Sequence, residues 1–467
     1  DRRMSRIYHR TYSRRRAEYD RIRDCIEGEL RLKEAGQLYL RRPGGMTKEQ
    51  YHDYLIGASF YPVAERTLRG MVGSATRNAP ILELPARLEP MREAATFEGN
   101  SMVVLIEDAL AEVMSIGRYA MLLDYPLHTS SPTTSPHIST FDAEHILDHR
   151  SELVEGKQRL TYIRLHEDNA DLEDEGVEQH LVLTLEPAYT VRRFHVTTKK
   201  AGPTAVSAVD EVEIHEPVTP LVNGSPLFEI PICIVSPYNL KADVEKPPFL
   251  DLVNVNLAHW RNSADYEHAL YLTAQPTPYV TGSIPQDKVP TMIGAGAFWV
   301  LPEGATAGML EFSGAGIAAQ KAAMDDKVTQ MAALGARMVY SGKGRNETEG
   351  TASLRLKDEM SILHSSVVMV EAALTKLLRI AAEWTQPGTA DDVKVFLHRD
   401  FVSTQIDPAT LTALIKAWQA GAISHDTLIL NLKKGELMDV NRALEDEKEL
   451  IETDAKAMGL ELIVGGL

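Results

Sequence analysis

Residues 315–384 read AGIAAQKAAMDDKVTQMAALGARMVYSGKGRNETEGTASLRLKDEMSILHSSVVMVEAALTKLLRIAAEW, and this stretch decides the fold. Its apolar spacing predicts a helix of about 23 residues, a polar break at 340–353 and a second helix of about 30 residues. At roughly 1.5 Å per residue, the second helix alone would span about 45 Å. Two long helices joined by a polar segment can project that segment into an open cavity. Subunits that form a ring around a channel need such an arrangement.

The break reads YSGKGRNETEGTAS and has no large apolar side chain after its first residue. Four of its side chains can bond to phosphate oxygens: Lys343, Arg345, Asn346 and Thr348. Three glycines allow wide backbone motion and are the candidate hinges: Gly342, Gly344 and Gly350. Glu347 and Glu349 cancel the formal positive charge, so an ordinary exposed loop is the alternative interpretation.

Composition describes a folded chain of two to four domains: 467 residues, 44% hydrophobic and 25% charged. It contains no run of 18 apolar residues, so we expect no transmembrane helix. The chain has two cysteines, Cys25 and Cys233, which are too few and too far apart for a disulfide framework. This low cysteine content is typical of proteins in a reducing compartment. The arginine-rich first sixteen residues are not a secretory signal. Because the sequence opens with Asp1, we expect a short segment before it.

A net charge of −17 limits how the protein can meet nucleic acid. Tight binding by counterion release needs a basic surface, and most of this surface must instead repel DNA. The exceptions are the arginine-rich N-terminus and the surroundings of Lys343 and Arg345. The negative charge therefore favours transient contact with DNA over tight binding.

Along the chain, the pattern predicts an α+β, mainly helical fold. Helices are expected at 1–41, 48–72, 98–119, 251–274, 316–339 and 354–384. Capping and helix-ending residues predict further helices between Asp407 and Met458. Period-two strands are expected from Arg159 to Phe194, and Val212–Ile214 continues the same sheet. Buried apolar strands are expected at Ala120–Leu123 and Pro226–Val235. Short β-like runs at Tyr279–Thr281 and Phe298–Leu301 predict a small β module between two long helices.

Three motifs resemble chemical sites and fail in detail. His145 and His149 would share a metal if they lay four apart on a helix, but a zincin needs Glu after the first His and Ile146 stands there. The acidic turn from Asp171 lacks the bidentate Glu of a calcium loop, because Val182 occupies position twelve. SGKG at 341–344 lacks the Walker spacing. We expect no enzyme, no cofactor and no metal.

Residues 411–434 form the alternative functional candidate, a helix-turn-helix with Gly421 in the turn. Its second helix would present Thr427, Asn431, Lys433 and Lys434. The acidic segment that follows opposes DNA binding, and a simple helical packing unit is the other interpretation. The alternative function is therefore an acidic, helix-rich DNA-binding or scaffold module.

Several segments resemble the portal proteins of tailed bacteriophages, particularly a portal subgroup long catalogued as a domain of unknown function. Toward the N-terminus they are YHDYLIGASFYPVAERTLRGMVGSATRNAP, IGRYAMLLDYP and AEHILDHR. Toward the C-terminus they are LIKAWQAGAISHDTLILNLKKGELMD and LEDEKELIE. The resemblance covers roughly residues 45–465 through moderately specific segments rather than one signature.

The resemblance implies a dodecameric ring at one capsid vertex, with named parts. The wing would be 1–248, with 354–400 returning to it through the long helix 354–384; the stem helices would be 249–274 and 316–339; the clip would be 275–315, the tunnel loop 340–353 and the crown 405–467. It also implies passage of double-stranded DNA and partnership with the terminase large subunit, a head-tail adaptor, and the major capsid and scaffold proteins, without a membrane. The protein would reside in the virion, and in the host cytoplasm during assembly.

Overall fold

A computed structural model describes residues 7–125, 135–154, 156–169, 176–199, 208–273, 277–285, 299–310, 315–335, 349–399, 401, 408–420, 422–434, 438 and 444–457. Over these residues the protein has a mixed α/β fold, which confirms the predicted class in its coarse form. The chain divides into two compact units. Unit 1 contains Asp1–Tyr19, Leu68–Pro248 and Arg345–Leu467, and unit 2 contains Asp20–Thr67 and Phe249–Gly344. No helix in the described part of the chain combines the length and hydropathy that a bilayer span requires.

The helices are α1 Arg10–Glu27, α2 Glu29–Ala35, α3 Lys48–Gly57, α4 Val63–Ala75, α5 Met102–Ser115, α6 Leu250–Thr273, α7 Ala315–Ala333, α8 Glu349–Thr385, α9 Pro408–Gln419, α10 His425–Lys434 and α11 Leu444–Ala457. The strands are β1 Ile81–Glu83, β2 Tyr119–Asp124, β3 His137–Asp142, β4 Ile146–Val154, β5 Lys157–Glu167, β6 Val177–Leu185, β7 Tyr189–Lys199, β8 Ala208–Glu213, β9 Leu221–Val222, β10 Ser225–Pro226, β11 Ile232–Val235, β12 Thr277–Thr281, β13 Thr306–Leu310 and β14 Lys394–Phe396.

Two antiparallel sheets of unit 1 share one hydrophobic core. Five strands form a meander in the order β4-β5-β6-β7-β8, and three form a second sheet in the order β11-β2-β3. In β5 and β6 the pairs Ile163–Leu183 and Leu165–Leu181 lie directly opposite one another and are buried. The period of two that predicted these strands is therefore the core-facing period of the sheet.

A continuous apolar stripe anchors the C-terminal part of α8 in unit 1. Its fully buried residues recur at helical spacing, and they are Leu363, Val367, Val370, Leu374, Leu377, Leu378 and Ala381. The helix packs against α5, β2, β11 and β14. With 37 residues, α8 is about 55 Å long at 1.5 Å per residue. It begins at Glu349, five residues before the predicted start, so Gly350 lies in its first turn.

Gly117 connects α5 to β2 in a position that only glycine fits. Its φ is +83°, a conformation that L side chains rarely adopt. A Cβ atom there would also come within 2.8 Å of Cδ of Pro248. The glycine therefore sets the direction in which the chain enters the buried strand β2.

Unit 2 is built around α6, which packs against α7 and α3. Trp260 of α6 is fully buried, and Phe60 meets its ring edge-on at 6.5 Å between centroids. A capping box starts α3: Gln50 N–H donates to Thr47 Oγ1 at 3.2 Å, and Thr47 N–H donates to Gln50 Oε1 at 2.9 Å. The helices predicted at 251–274 and 316–339 are thus present as α6 and α7, and α7 ends earlier than predicted.

The small β module of unit 2 is the hairpin β12–β13, with Tyr279 opposite Gly308. A Cβ atom at Gly308 would lie only 2.7 Å from Tyr279 Oη, which shows that the tyrosine ring lies directly over the glycine. The run Phe298–Leu301 was wrongly predicted as the second strand: residues 299–301 are not in a strand, and position 298 lies outside the described residues. Pro302 and Gly304, whose φ is +83°, turn the chain before Thr306 begins β13.

Candidate functional site

Of the polar segment 340–353, residues 340–348 lie outside the described residues and 349–353 belong to α8. Residues 340–348 include Gly342, Lys343, Gly344, Arg345, Asn346 and Thr348, whose roles stay predictions. The structure describes the two ends that hold the segment. Helix α7 ends at Ala333, where Leu334 N–H bonds to Gln330 O at 3.0 Å and Gly335 follows with φ of +117°. Helix α8 then begins at Glu349, so fifteen residues, 334–348, join the two helices.

The facing sides of α6 and α7 combine burial with a polar contact. Lys327 of α7 donates to Ala323 O at 3.3 Å, and its Nζ lies 3.1 Å from the amide oxygen of Asn262 when that amide takes its satisfied orientation. Burial first, and then the Lys327 ammonium, lower the pKa of His259 on α6. His259 is therefore mostly neutral at pH 7 and adds no full positive charge beside Lys327.

Large apolar side chains are exposed at the end of α6 and on the neighbouring hairpin of unit 2. Tyr271 is 83% exposed and Leu272 is 63% exposed. Tyr279 of β12 and Met309 of β13 are about half exposed. Side chains of this size grouped within one unit are typical of surfaces that are covered in an assembly.

The predicted helix-turn-helix is present as two helices, α9 and α10, followed by α11. Ser424 caps α10, accepting from Thr427 N–H at 3.1 Å. Asp426 at the start of α10 forms an ion pair with Lys448 of α11, with Nζ 2.8 Å from Oδ1. Position 421 and the side chains of Lys433 and Lys434 lie outside what the structure describes. Contact with the acidic α11 fits a helical packing unit better than an open DNA-reading helix.

His145 and His149 do not lie on one helix, so the i, i+4 metal pair that the sequence disfavoured does not form. His145 ends a single 3₁₀ turn at Ala143–His145, and His149 lies on strand β4. The reason is that β4 pairs with β5, and this tertiary pairing overrides the local helical spacing. Irregular register between Ile146 and Asp148 hides the strand's alternation from sequence inspection.

The two histidines instead join different environments within unit 1. His149 lies between His9, with ring centroids 4.5 Å apart, and Arg118, whose Nη2 is 3.5 Å from His149 Nδ1. The pKa of His149 is lowered to about 3, mainly by burial and to a smaller extent by Arg118 and His9. His149 is thus neutral at pH 7, and Nδ1 is the nitrogen that accepts from the guanidinium.

His145 meets two residues that sequence inspection missed, His166 and Asp168. One carboxylate oxygen of Asp168 lies 3.5 Å from His145 Nε2 and 3.3 Å from His166 Nδ1. The two imidazole rings are stacked, with centroids 5.4 Å apart. Burial first, and then His145, lower the pKa of His166. The available signal was an H-x-D motif at the end of a predicted strand, followed by a polar turn.

Arg118 of unit 1 holds the backbone beside His145 through hydrogen bonds to main-chain carbonyls. Its guanidinium is buried and donates to Ile146 O and Ala242 O, each at 3.1 Å. Burial lowers the Arg118 pKa to about 10, so it stays charged at neutral pH. The residue therefore joins three chain segments: the connection after α5, the start of β4 and the link that leads to α6.

Comparison with known proteins gives one partial family match and several distant structural likenesses. The family model described as "Domain of unknown function (DUF4055)" matches residues 248–385, a minority of the chain. No curated protein matches. The family match covers α6, the hairpin β12–β13, α7 and α8, the elements around the candidate loop.

Among the solved structures, the chain is similar to a chain in the neck of a native GTA particle computed with C12 symmetry (TM-score 0.42, 13% identity, covering 86% of this chain and 97% of that one). It is also similar to a chain in the neck of an empty GTA particle computed with C6 symmetry (0.42, 14%, 84% and 95%). A third is from the virion of a native gene transfer agent (GTA) particle (0.43, 13%, 86% and 98%).

Proposed function

We propose that this protein is a portal protein: a ring of about twelve copies at one capsid vertex through which double-stranded DNA is packaged and ejected. In this proposal it has no catalytic site of its own. It would dock the terminase large subunit during packaging and a head-tail adaptor afterwards, and it would contact the major capsid and scaffold proteins.

The observation that carries the proposal is the arrangement α7, polar segment, α8. Helix α8 is held at its C-terminal part by a fully buried stripe that includes Leu363 and Leu374, so it is a fixed strut. The segment 334–348 leaves α7 through Gly335 and returns at Glu349. A short charged segment held between two long helices suits a loop that protrudes toward a substrate passing by.

The exposed apolar side chains of unit 2 support a ring. In a single copy, Tyr271 and Leu272 leave large apolar surface in water, at a cost of about 25 cal/mol per Å². A head-to-tail contact between identical copies would cover such a patch, and repeated rotation closes the ring. The C12 and C6 symmetries belong to the particles named above; the ring size for this chain is part of the proposal.

The charge of the chain suits a conduit. Each phosphate that a protein neutralises adds salt-dependent affinity, which would resist movement of the DNA. A net charge of −17 on each copy gives a repulsive wall. Lys343 and Arg345 would make brief phosphate contacts without reading bases. In the proposed division of the chain, α6 and α7 are the stem helices, β12–β13 belongs to the clip, and α9–α11 form the crown.

Native mass spectrometry of the purified chain tests the ring directly. Twelve copies of a 51.8 kDa chain give about 622 kDa, and we expect a species within one subunit of that mass. Closed rings form because head-to-tail interfaces are satisfied only on closure. A monomer or dimer at every concentration would contradict the proposal and bring forward the DNA-binding alternative at 411–434.

Reversing the loop charges tests the DNA contact. Lys343→Glu combined with Arg345→Glu should leave the ring intact and lower the DNA packaged per particle by about tenfold, because phosphates would then meet added negative charge. The measurement is DNase-protected DNA per assembled particle. The matched control is Arg41→Glu with Arg42→Glu, an equal charge change at two exposed positions outside the loop. Equal packaging by the two double variants would remove the role assigned to the loop.

A further inference from the structure

The cluster of His145, His166 and Asp168 has the chemistry of a metal site. One ligand atom from each residue lies within 4.8 Å of the other two. His145 comes from the 3₁₀ turn before β4, His166 from the end of β5, and Asp168 from the residues just after β5. Two imidazoles and a carboxylate are a frequent ligand set for Zn²⁺.

The spacing of these atoms matches tetrahedral coordination along two edges. Zn–N and Zn–O bonds of about 2.0–2.2 Å place neighbouring ligand atoms about 3.3–3.5 Å apart at tetrahedral angles. The carboxylate oxygen of Asp168 is 3.5 Å from His145 Nε2 and 3.3 Å from His166 Nδ1. The third edge, between the two imidazole nitrogens, is within 4.8 Å and would close to about 3.3–3.5 Å when an ion binds.

The backbone on both sides of His145 is held by hydrogen bonds, one partly buried and one buried. Tyr12 Oη donates to Glu144 O at 2.7 Å. Arg118 Nη1 donates to Ile146 O at 3.1 Å. The imidazole thus projects from a turn whose position is fixed before any ion binds, which reduces the entropy lost on binding.

The neighbours of Asp168 are held in the same way by one side chain of β6. Gln179 Oε1 accepts from Asn169 Nδ2 at 3.1 Å, and Gln179 Nε2 donates to Glu167 Oε2 at 2.9 Å. Arg193 then pairs with Glu167 at 3.0 Å. The carboxylate of Asp168 is itself 69% exposed, so an ion can reach it from solvent.

His180 is adjacent to the cluster, and its hydrogen bonds exclude it as a ligand. Its Nδ1 lies 3.3 Å from Arg164 Nη1, which can only donate, and its Nε2 lies 3.0 Å from Glu178 Oε2. Both nitrogens are therefore already in use. The described part of the chain supplies three ligands, which leaves a fourth position for water.

We propose that His145, His166 and Asp168 form a mononuclear site for a divalent transition-metal ion of the Zn²⁺ type. Imidazole nitrogens favour Zn²⁺, Co²⁺ and Ni²⁺ over Mg²⁺ and Ca²⁺, which prefer oxygen ligands. A bound ion would join the turn before β4 to the end of β5 and would stabilise this corner of the five-stranded sheet. The site lies in unit 1, and the proposal does not depend on the portal function.

The experiment is a Zn²⁺ titration of the chelator-stripped full-length protein against a chromophoric competitor. We expect saturation at one ion per chain, no competition from equal Mg²⁺ or Ca²⁺, and a higher melting temperature with Zn²⁺ than without. Co²⁺ in the same site should show the strong visible absorption of four-coordinate Co²⁺. No saturable binding of either ion would overturn the proposal.

Variants assign the binding to these side chains. Asp168→Asn changes an exposed residue, and we expect it to weaken Zn²⁺ binding by at least about tenfold through loss of the anionic ligand. His166→Gln should weaken binding at least as much. His195→Gln, on β7 of the same sheet and outside the cluster, is the matched control and should bind like the parent. Equal affinity in Asp168→Asn, His166→Gln and the parent would place any bound zinc elsewhere and overturn the assignment.

Discussion

Replacing Arg118 with leucine should lower the free energy of unfolding of unit 1 by about 2–5 kcal/mol. The side chain is only 2% exposed, and its two Nη groups satisfy the buried carbonyls of Ile146 and Ala242. Leucine fills part of the volume and offers no donor. Each stranded acceptor costs about 1–3 kcal/mol, because water cannot replace the lost bond in a packed interior.

A lysine at position 118 should recover only part of this stability. It keeps the positive charge, but one ammonium cannot reproduce the planar fork that reaches two carbonyls on different segments. Urea denaturation, with hydrogen exchange of the β4 amides, measures both variants. The matched control is Arg192→Leu, which removes an exposed arginine paired with Glu213 at 3.6 Å and should cost at most about 1 kcal/mol. If Arg118→Leu and Arg192→Leu unfold at the same urea concentration, the carbonyl contacts are not the source of stability.

The long helices could be predicted because their burial is periodic along the sequence itself. In α8, Leu363, Val367, Val370 and Leu374 follow one helix face, and the structure buries all four. The ends were less predictable: α8 starts at Glu349, and Gly28 separates α1 from α2 with φ of +106°. Helix ends depend on a few local bonds rather than on a long pattern, so a shift of several residues leaves the pattern unchanged.

Strand β4 and the histidine cluster could not be predicted, for one shared reason. Two irregularities in the β4–β5 register break the alternation that identifies a strand. Without β4, nothing in the sequence places His145 beside His166, twenty-one positions away. The pairing of β4 with β5 creates that proximity, and pairing is a tertiary property. The roles of Lys343 and Arg345, by contrast, follow from sequence alone and stay predictions.

Asn256 offers the second large effect, in unit 2. This side chain on α6 is fully buried. Its Oδ1 accepts from Ala64 N–H at 3.1 Å, and its Nδ2 donates to Tyr61 O at 2.9 Å. The Ala64 amide belongs to the first turn of α4, where N–H groups have no partner within the helix. Asn256 therefore caps a second helix while holding the chain that enters it.

Asn256→Leu should lower the free energy of unfolding of unit 2 by about 1–3 kcal/mol, because a side chain of similar volume leaves the Ala64 N–H donor without its partner. The Tyr61 carbonyl loses one bond and still accepts from Val63 N–H at 2.8 Å. If the loss is local to this contact, the free energy of opening measured by hydrogen exchange at the Ala64 amide should fall by the same amount. Asn254→Leu is the matched control: it lies on the same helix, is exposed and gives up only its bond from Arg21 Nη1 at 3.0 Å. Equal unfolding of Asn256→Leu and Asn254→Leu would mean that α6 is held by apolar packing around Trp260 alone. A selective loss at Asn256 would show that the hydrogen bonds also fix where this proposed stem helix sits within unit 2.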